Sequence, residues 1–139
     1  MIRKAIKSDI EKIKSHIEEF NLDSEDMDHE KFYVFEYGGI VAGFGRYKNY
    51  GNYCEIATIG VLKPFRNRGI GKTIVNQLIK SVPFEEIWLT TVIPDFFKKF
   101  GFKKSQNVPE ELLQKTRRIC EKFEKSEEFS VFMKLKKQT

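Results

Sequence analysis

Cysteine and histidine are scarce in this chain, and the shortage closes whole classes of chemistry. Only Cys54, Cys120, His16 and His29 are present, each isolated from the others. None has the short spacing of a zinc site or the density of a disulfide framework. The sequence predicts two reduced thiols in a cytoplasmic protein and no metal. Long apolar runs are missing too. Nothing approaches the roughly 20 residues that cross a bilayer. Met1-Ile2-Arg3-Lys4-Ala5-Ile6 lacks the apolar core of a secretory signal. Neither sign of charge dominates, with 25 Lys and Arg against 20 Asp and Glu, a net charge of +5. The basic excess lies in the last third, at Lys98-Lys99, Lys103-Lys104, Arg117-Arg118 and Lys134 to Lys137. It is interleaved with acids and hydrophobes and reads as solvated faces. No nucleic-acid-binding motif accompanies it, so neither nucleic acid nor membrane is an expected partner.

What is present suits one folded domain over residues 1–139. The 40% hydrophobic and 32% charged residues are those of a globular protein with a core. Ile2 to Ile6 reads as a strand. Ser8 and Glu11 form a capping box before a helix with Ile10, Ile13, Ile17 and Phe20 on one side. Asn21 to Lys31 carries five acids: Asp23, Glu25, Asp26, Asp28 and Glu30. Phe32 to Tyr37 and Ile40 to Tyr47 are strands joined by a Gly38-Gly39 turn. Glu55 to Leu62 is a third. Ile70, Ile74, Leu78 and Val82 mark a helix ended by Pro83, and Glu86 to Val92 is β-rich. A short helix spans Pro94 to Phe100, followed by a strand from Phe102 to Ser105. Another helix begins near Pro109, with Leu112, Leu113, Ile119, Cys120 and Phe123 on its apolar side. Phe129 to Leu135 closes the chain as a strand. The order predicts a mixed α+β domain, one sheet with helices on its faces.

Between the strand Glu55 to Leu62 and the helix after it lies Val61-Leu62-Lys63-Pro64-Phe65-Arg66-Asn67-Arg68-Gly69-Ile70-Gly71-Lys72-Thr73. A strand, a glycine-bearing basic loop and a helix N-terminus together suit a phosphate. Gly71-Lys72-Thr73 ends like a P-loop, but that pattern needs glycine at position 66, which is Arg66. A dinucleotide fingerprint from Gly69 needs glycine at position 74, which is Ile74. What remains, Arg66-x-x-Gly69-x-Gly71, resembles the acyl-CoA loop of the GNAT N-acetyltransferases. Phe96-Phe97-Lys98-Lys99-Phe100-Gly101-Phe102 is similar to a second motif of that family, and the element order resembles its fold across nearly the whole chain.

The resemblance implies a GNAT fold, a mostly antiparallel sheet splayed at the acyl-CoA site. It implies acetyl-CoA as co-substrate and direct transfer to a small-molecule or protein amine. The pyrophosphate would meet Arg66, Asn67, Arg68, Gly69, Ile70, Gly71, Lys72 and Thr73. The pantetheine arm would lie along Ile59, Gly60 and Val61, with Phe97 beside it. Gly60 within a strand suggests a bulge or a close backbone approach. N–H groups near Val61 and Leu62 are candidates to hold the thioester oxygen. Glu55 is the candidate general base; the bland alternative is a polar strand start. Many relatives carry tyrosine where this chain has Phe97, so thiolate protonation falls to water or to Tyr47, Tyr50 or Tyr53.

Attack needs a neutral amine. Holding a lysine-like amine neutral at pH 7 costs roughly 4–5 kcal/mol, an α-amine only about 1. The acidic segment Asp23 to Glu30 either favours a cationic amine or is a solvated loop. Gly43-Phe44-Gly45-Arg46 and the tail through Cys120 resemble amino-acid N-acetyltransferases, with Arg46 facing the acceptor carboxylate. A catalytically weak acyl-CoA-binding module is the alternative reading. A homodimer paired through the last strand is also open.

Overall fold

The computed structural model describes residues 1–138. In chain order come β1 (Ile2–Lys4), α1 (Lys7–Glu19), β2 (Phe32–Tyr37), β3 (Ile40–Asn49), β4 (Cys54–Val61) and α2 (Ile70–Ser81). β5 (Glu86–Thr91), α3 (Pro94–Lys98), β6 (Lys103–Lys104), α4 (Glu110–Lys122) and β7 (Val131–Lys136) follow. The strands form one sheet in the order β1-β2-β3-β4-β5-β7-β6. Every neighbouring pair is antiparallel except β4 with β5. The mixed class expected from the element order is the one observed.

Alternation along the strands builds a core on each face. Ile10, Ile13 and Ile17 of α1 bury against Phe32, Val34 and Phe44 on one side. Ile70, Ile74, Val75 and Leu78 of α2 bury against Cys54, Ile56, Ile87 and Leu89 on the other, where α3 adds Phe97. Trp88 points opposite to Ile87 and Leu89, so its partner Leu112 sets α4 on the α1 side. Each large apolar side chain removed from water contributes about 1.5–3 kcal/mol.

Several local expectations shift. α1 starts at Lys7, with Ile6 as N-cap, and Ser8 is exposed. Asp9 takes the capping part instead. Its carboxylate accepts from the Ile6 N–H at 2.8 Å and is clamped by Arg3, which also holds Glu36 of β2. That tertiary clamp outweighs the local Ser8 pattern. β1 ends at Lys4 rather than Ile6, and β6 keeps only two residues. β7 lies between β5 and β6, so the last strand is not the edge of the sheet.

The feature that positions the site is a parting between β4 and β5. These strands pair only at Cys54↔Ile87 and Glu55↔Trp88. β4 then follows β3, because Thr58 adopts a φ of +56° and the β3–β4 register slips between Phe44 and Arg46. A bulge bends its strand, and here it carries β4 away from β5.

Candidate active site

The parting opens a cleft of about 640 Å³ through the sheet. Ile59, Gly60 and Val61 line one wall, and Leu89, Thr90 and Thr91 the other. α3 closes it with Phe96 and Phe97, and α4 supplies Lys115, Thr116, Ile119 and Cys120.

At one end stands the N-terminus of α2. Gly69 is its N-cap at φ +79°, a left-handed conformation that favours glycine, and no side chain caps the turn. The first N–H groups of a helix have no partner inside it. Here Gly69, Ile70, Gly71 and Lys72 line the cleft, joined by Arg66 and Asn67. Arg66 Nε donates to the Val61 carbonyl at 2.9 Å, and its guanidinium covers Phe20. Arg68 and Thr73 lie outside the lining. The Arg68 guanidinium sits over the Tyr37 and Phe65 rings, and the Thr73 hydroxyl donates to the Gly69 carbonyl at 3.0 Å.

Along the β4 wall the sequence left two possibilities for Gly60, and the close approach is the one present. A Cβ there would stand 2.6 Å from Phe44 Cζ, while the bulge falls on Thr58. The N–H of Leu62 donates to the Ala42 carbonyl at 2.8 Å and is not free for an oxyanion. Strand alternation then turns the Val61 N–H away from β3 and toward the cleft.

Glu55 sits at the closed end, fully buried. One oxygen accepts from the Tyr50 hydroxyl at 3.0 Å, and the other meets Lys115 Nζ at 2.5 Å. Burial, and then this carboxylate, push the Tyr50 phenol well above its ordinary range, so it stays a donor. Lys115 Nζ also lies 3.7 Å from Asp23. Burial alone would raise the Asp23 carboxyl, but Lys115, Arg46 and Lys48 outweigh it and hold it below the ordinary carboxylate value. Three cations thus face two carboxylates. Glu25, near Lys48, pairs with Arg118 and leaves that balance unchanged.

These contacts revise the acceptor side. Asp23 is not in a solvated loop; it is buried and neutralised. Arg46 does not face a substrate carboxylate. It is buried over the Phe32 ring and spends its donors on the Thr58 hydroxyl and the Asp26 and Asp23 carbonyls, at 2.8–2.9 Å. None of Tyr47, Tyr50 and Tyr53 lines the cleft, and Tyr53 donates to Glu111. Buried hydroxyls without a partner, among the described residues, belong to Thr90 and Thr116, and both residues line it. Sequence reasoning missed Lys115 and Thr116, and it named Asp23 only as one acid of the Asp23 to Glu30 segment. The signal for the first two was a polar pair on the apolar side of α4, level with Leu112 and Ile119.

A sheet parted between two parallel strands, with an uncapped helix at its open end, is the architecture of the acyl-CoA-dependent N-acetyltransferase fold. The chain belongs to the acetyltransferase (GNAT) family, whose model matches residues 2–102. It is 32% identical over 93 residues to an uncharacterized N-acetyltransferase, CT2212, of Chlorobaculum tepidum, covering 64% of this chain and 59% of that protein. The chain therefore spans about three fifths of this curated relative. It is similar to Rv2747 from Mycobacterium tuberculosis, solved in complex with CoA, with a TM-score of 0.78, 22% identity and 99% of both chains covered. It is also similar to N-acetylglutamate synthase from Neisseria gonorrhoeae, solved with coenzyme A and N-acetyl-glutamate. There the TM-score is 0.74 and the identity 16%, over 100% of this chain and 35% of that one. At these identities the two solved structures establish the fold.

Proposed function

We propose that residues 1–139 form one transferase domain that moves an acetyl group from acetyl-CoA directly to an α-amine, without a metal. The observation that carries this reading is the parted β4–β5 pair, with buried Glu55 at one end and the open α2 N-terminus at the other. The pyrophosphate lies against the N–H groups of Ile70, Gly71 and Lys72, where the helix dipole is positive. Asn67 and Gly69 shape that turn. Arg66, Arg68 and Lys72 add charge around it, and Thr73 stiffens it. The pantetheine runs along Ile59, Gly60 and Val61 as the strand the cleft lacks, against the ring of Phe97. The Val61 N–H holds the thioester oxygen as negative charge grows on it. Glu55 takes the amine proton.

The α-amine preference rests on charge. The buried cluster carries one more cation than carboxylates, which repels a polyamine. Glu55 is already engaged by Lys115, and an α-amine asks least of its base. The unpartnered Thr116 hydroxyl is free to bond the acceptor. A thiol-release assay with acetyl-CoA across α-amino acids, short peptides, lysine derivatives and polyamines tests this. α-Amines are expected to turn over fastest, and faster polyamine turnover refutes the acceptor class. Phe97, with no proton to give, favours a second reading, a catalytically weak acyl-CoA-binding module. Acetyl-CoA binding without thiol release for any amine is its signature. CoA supply and acceptor binding tie the site to no nucleic acid or membrane.

A further inference from the structure

The transfer just proposed assigns no side chain to one proton, and without one it falls to water. The departing thiolate, from a thiol of pKa about 8.5, takes up a proton, and Phe97 has none. The Tyr50 and Tyr53 hydroxyls are committed to Glu55 and Glu111, and neither residue lines the cleft. The Thr90 and Thr116 hydroxyls are placed in it, but an alcohol is too weak an acid to supply a thiolate on its own. Arg66, Lys72 and Lys125 also line the cleft, but among the described residues Lys115 is the cation that pairs with Glu55. Arg66 and Lys125 donate to the Val61 and Asn21 carbonyls. Lys115 both lines the cleft and touches Glu55.

We propose that Lys115 is the general acid of this site and that Glu55 and Lys115 act as one self-restoring pair. This rests on the transfer reading above. The amine nitrogen bonds to the thioester carbon and gives a proton to Glu55. The C–S bond breaks with its electron pair on sulfur, and the Lys115 ammonium gives that sulfur a proton. Glu55 is then a neutral acid and Lys115 a neutral amine. One proton crosses their 2.5 Å contact and the ion pair is restored. The sum is an N-acetyl amine and CoA thiol, with the protein unchanged and no proton drawn from solvent. The groups facing the pair are Tyr50 on Glu55 and Asp23 on Lys115, with Arg46 and Lys48 of β3 on Asp23. Those cations keep Asp23 ionised, so Glu55 is the carboxylate left to carry the proton.

Lys115→Arg tests this, because arginine keeps a cation against Glu55 but does not release a proton in the working pH range. Acetyl-CoA is the donor, and the fastest α-amine of the panel is the acceptor. The expected result is a folded variant with the KM for acetyl-CoA within about twofold and kcat lowered roughly 10²–10⁴-fold, the usual share of a general acid. The descending basic limb of the kcat–pH profile disappears, which a merely structural cation would not cause. If arginine does not fit, the pair Glu55→Gln with Lys115→Met removes both charges together and is expected to lose the same limb. A kcat close to wild type, or a basic limb that survives, overturns the relay. So does loss of that limb in Thr90→Val or Thr116→Val with Lys115 intact. A wild-type protein that binds acetyl-CoA yet releases no thiol with any amine overturns the transfer reading, and the relay with it. The wild type alone separates the two failures.

Discussion

Gly71→Ala is expected to stabilise the empty protein and weaken its hold on acetyl-CoA. Gly71 is the second residue of α2, and its backbone is not left-handed. A Cβ there would stand 3.6 Å from Phe96 Cζ and 3.8 Å from Val61 Cγ2, ordinary contact distances. The fold therefore does not require glycine here. Alanine is better than glycine in a helix by about 0.5–1 kcal/mol. In a chain of this size that raises the thermal midpoint by about 2–4 °C. In the binding mode proposed above, the same methyl group enters the space where the pyrophosphate meets the first-turn N–H groups. Losing one charge-assisted hydrogen bond costs about 1.5–3 kcal/mol, which is roughly tenfold to a hundredfold in affinity. Thermal melts of the free variant and calorimetric titration with acetyl-CoA read the two quantities separately. They move in opposite directions, so a general folding defect cannot imitate the result. A raised midpoint with unchanged affinity refutes the placement of the phosphate against α2. A lowered midpoint refutes the claim that the fold has room for the methyl group.

Glu55→Gln is expected to lower kcat by roughly 10²–10³-fold and move the rising limb of the pH–rate profile upward, toward the α-amine's own value of about 7.7–8.0; an unchanged profile removes its role as base. Asp23→Asn leaves buried cations without a carboxylate and is expected to cost about 3 kcal/mol at pH 7 in urea unfolding. Because Asp23 is held below its ordinary value in the fold, its contribution is complete above the unfolded pKa of about 3.9 and is lost as pH falls through the folded one. The gap between wild type and variant therefore narrows as the pH is taken below that unfolded value, and a gap that does not change with pH contradicts the ion cluster. Gly60→Ala drives a methyl group against Phe44, whose Cζ would be 2.6 Å away; a loss of about 1–3 kcal/mol is expected, measured by the same unfolding. The Cys54 thiol, pushed up to about 11 by burial, is expected to resist alkylation at pH 8 in the folded protein and to react once urea unfolds it.

The parts of the site legible in the sequence are the ones built from neighbouring residues. Gly69 and Gly71 declare an open helix start, and Pro94 to Phe100 declare the short helix beside it, which ends at Lys98, because each pattern is complete within a few positions. Gly38-Gly39 declares its turn for the same reason; both residues have positive φ, +57° and +80°. The rest depends on partners far away in the chain. Asp23 looks like one acid in an acidic run, and what buries it are Arg46 and Lys48 of β3 and Lys115 of α4. Arg46 looks like a ligand for substrate until its donors are counted against Thr58, Asp23 and Asp26. Ser8 has the better local capping pattern, yet Arg3 recruits Asp9. For Asp23 and Arg46 long-range ion pairs and hydrogen bonds outweighed a local preference, and for Ser8 the deciding partner was Arg3, itself tied to Glu36 of β2.

The parting of β4 from β5 also changes how many unpaired strand rims this sheet has. A sheet normally has two free rims, and an unpaired rim invites a strand from another molecule. Here the parting creates two more. The outer rims are blunted: β1 has three residues, and β6 has two, both exposed lysines. The inner rims are hydrogen-bonding backbone that cannot be blunted in that way, since their function is to pair. They are guarded by shape instead, recessed between α3 and α4 with aromatic and aliphatic side chains over them. A slender single chain needs less room in such a recess than a strand carrying side chains on both faces. The recess proposed to admit the donor is thus also a narrow place for a strand of another molecule.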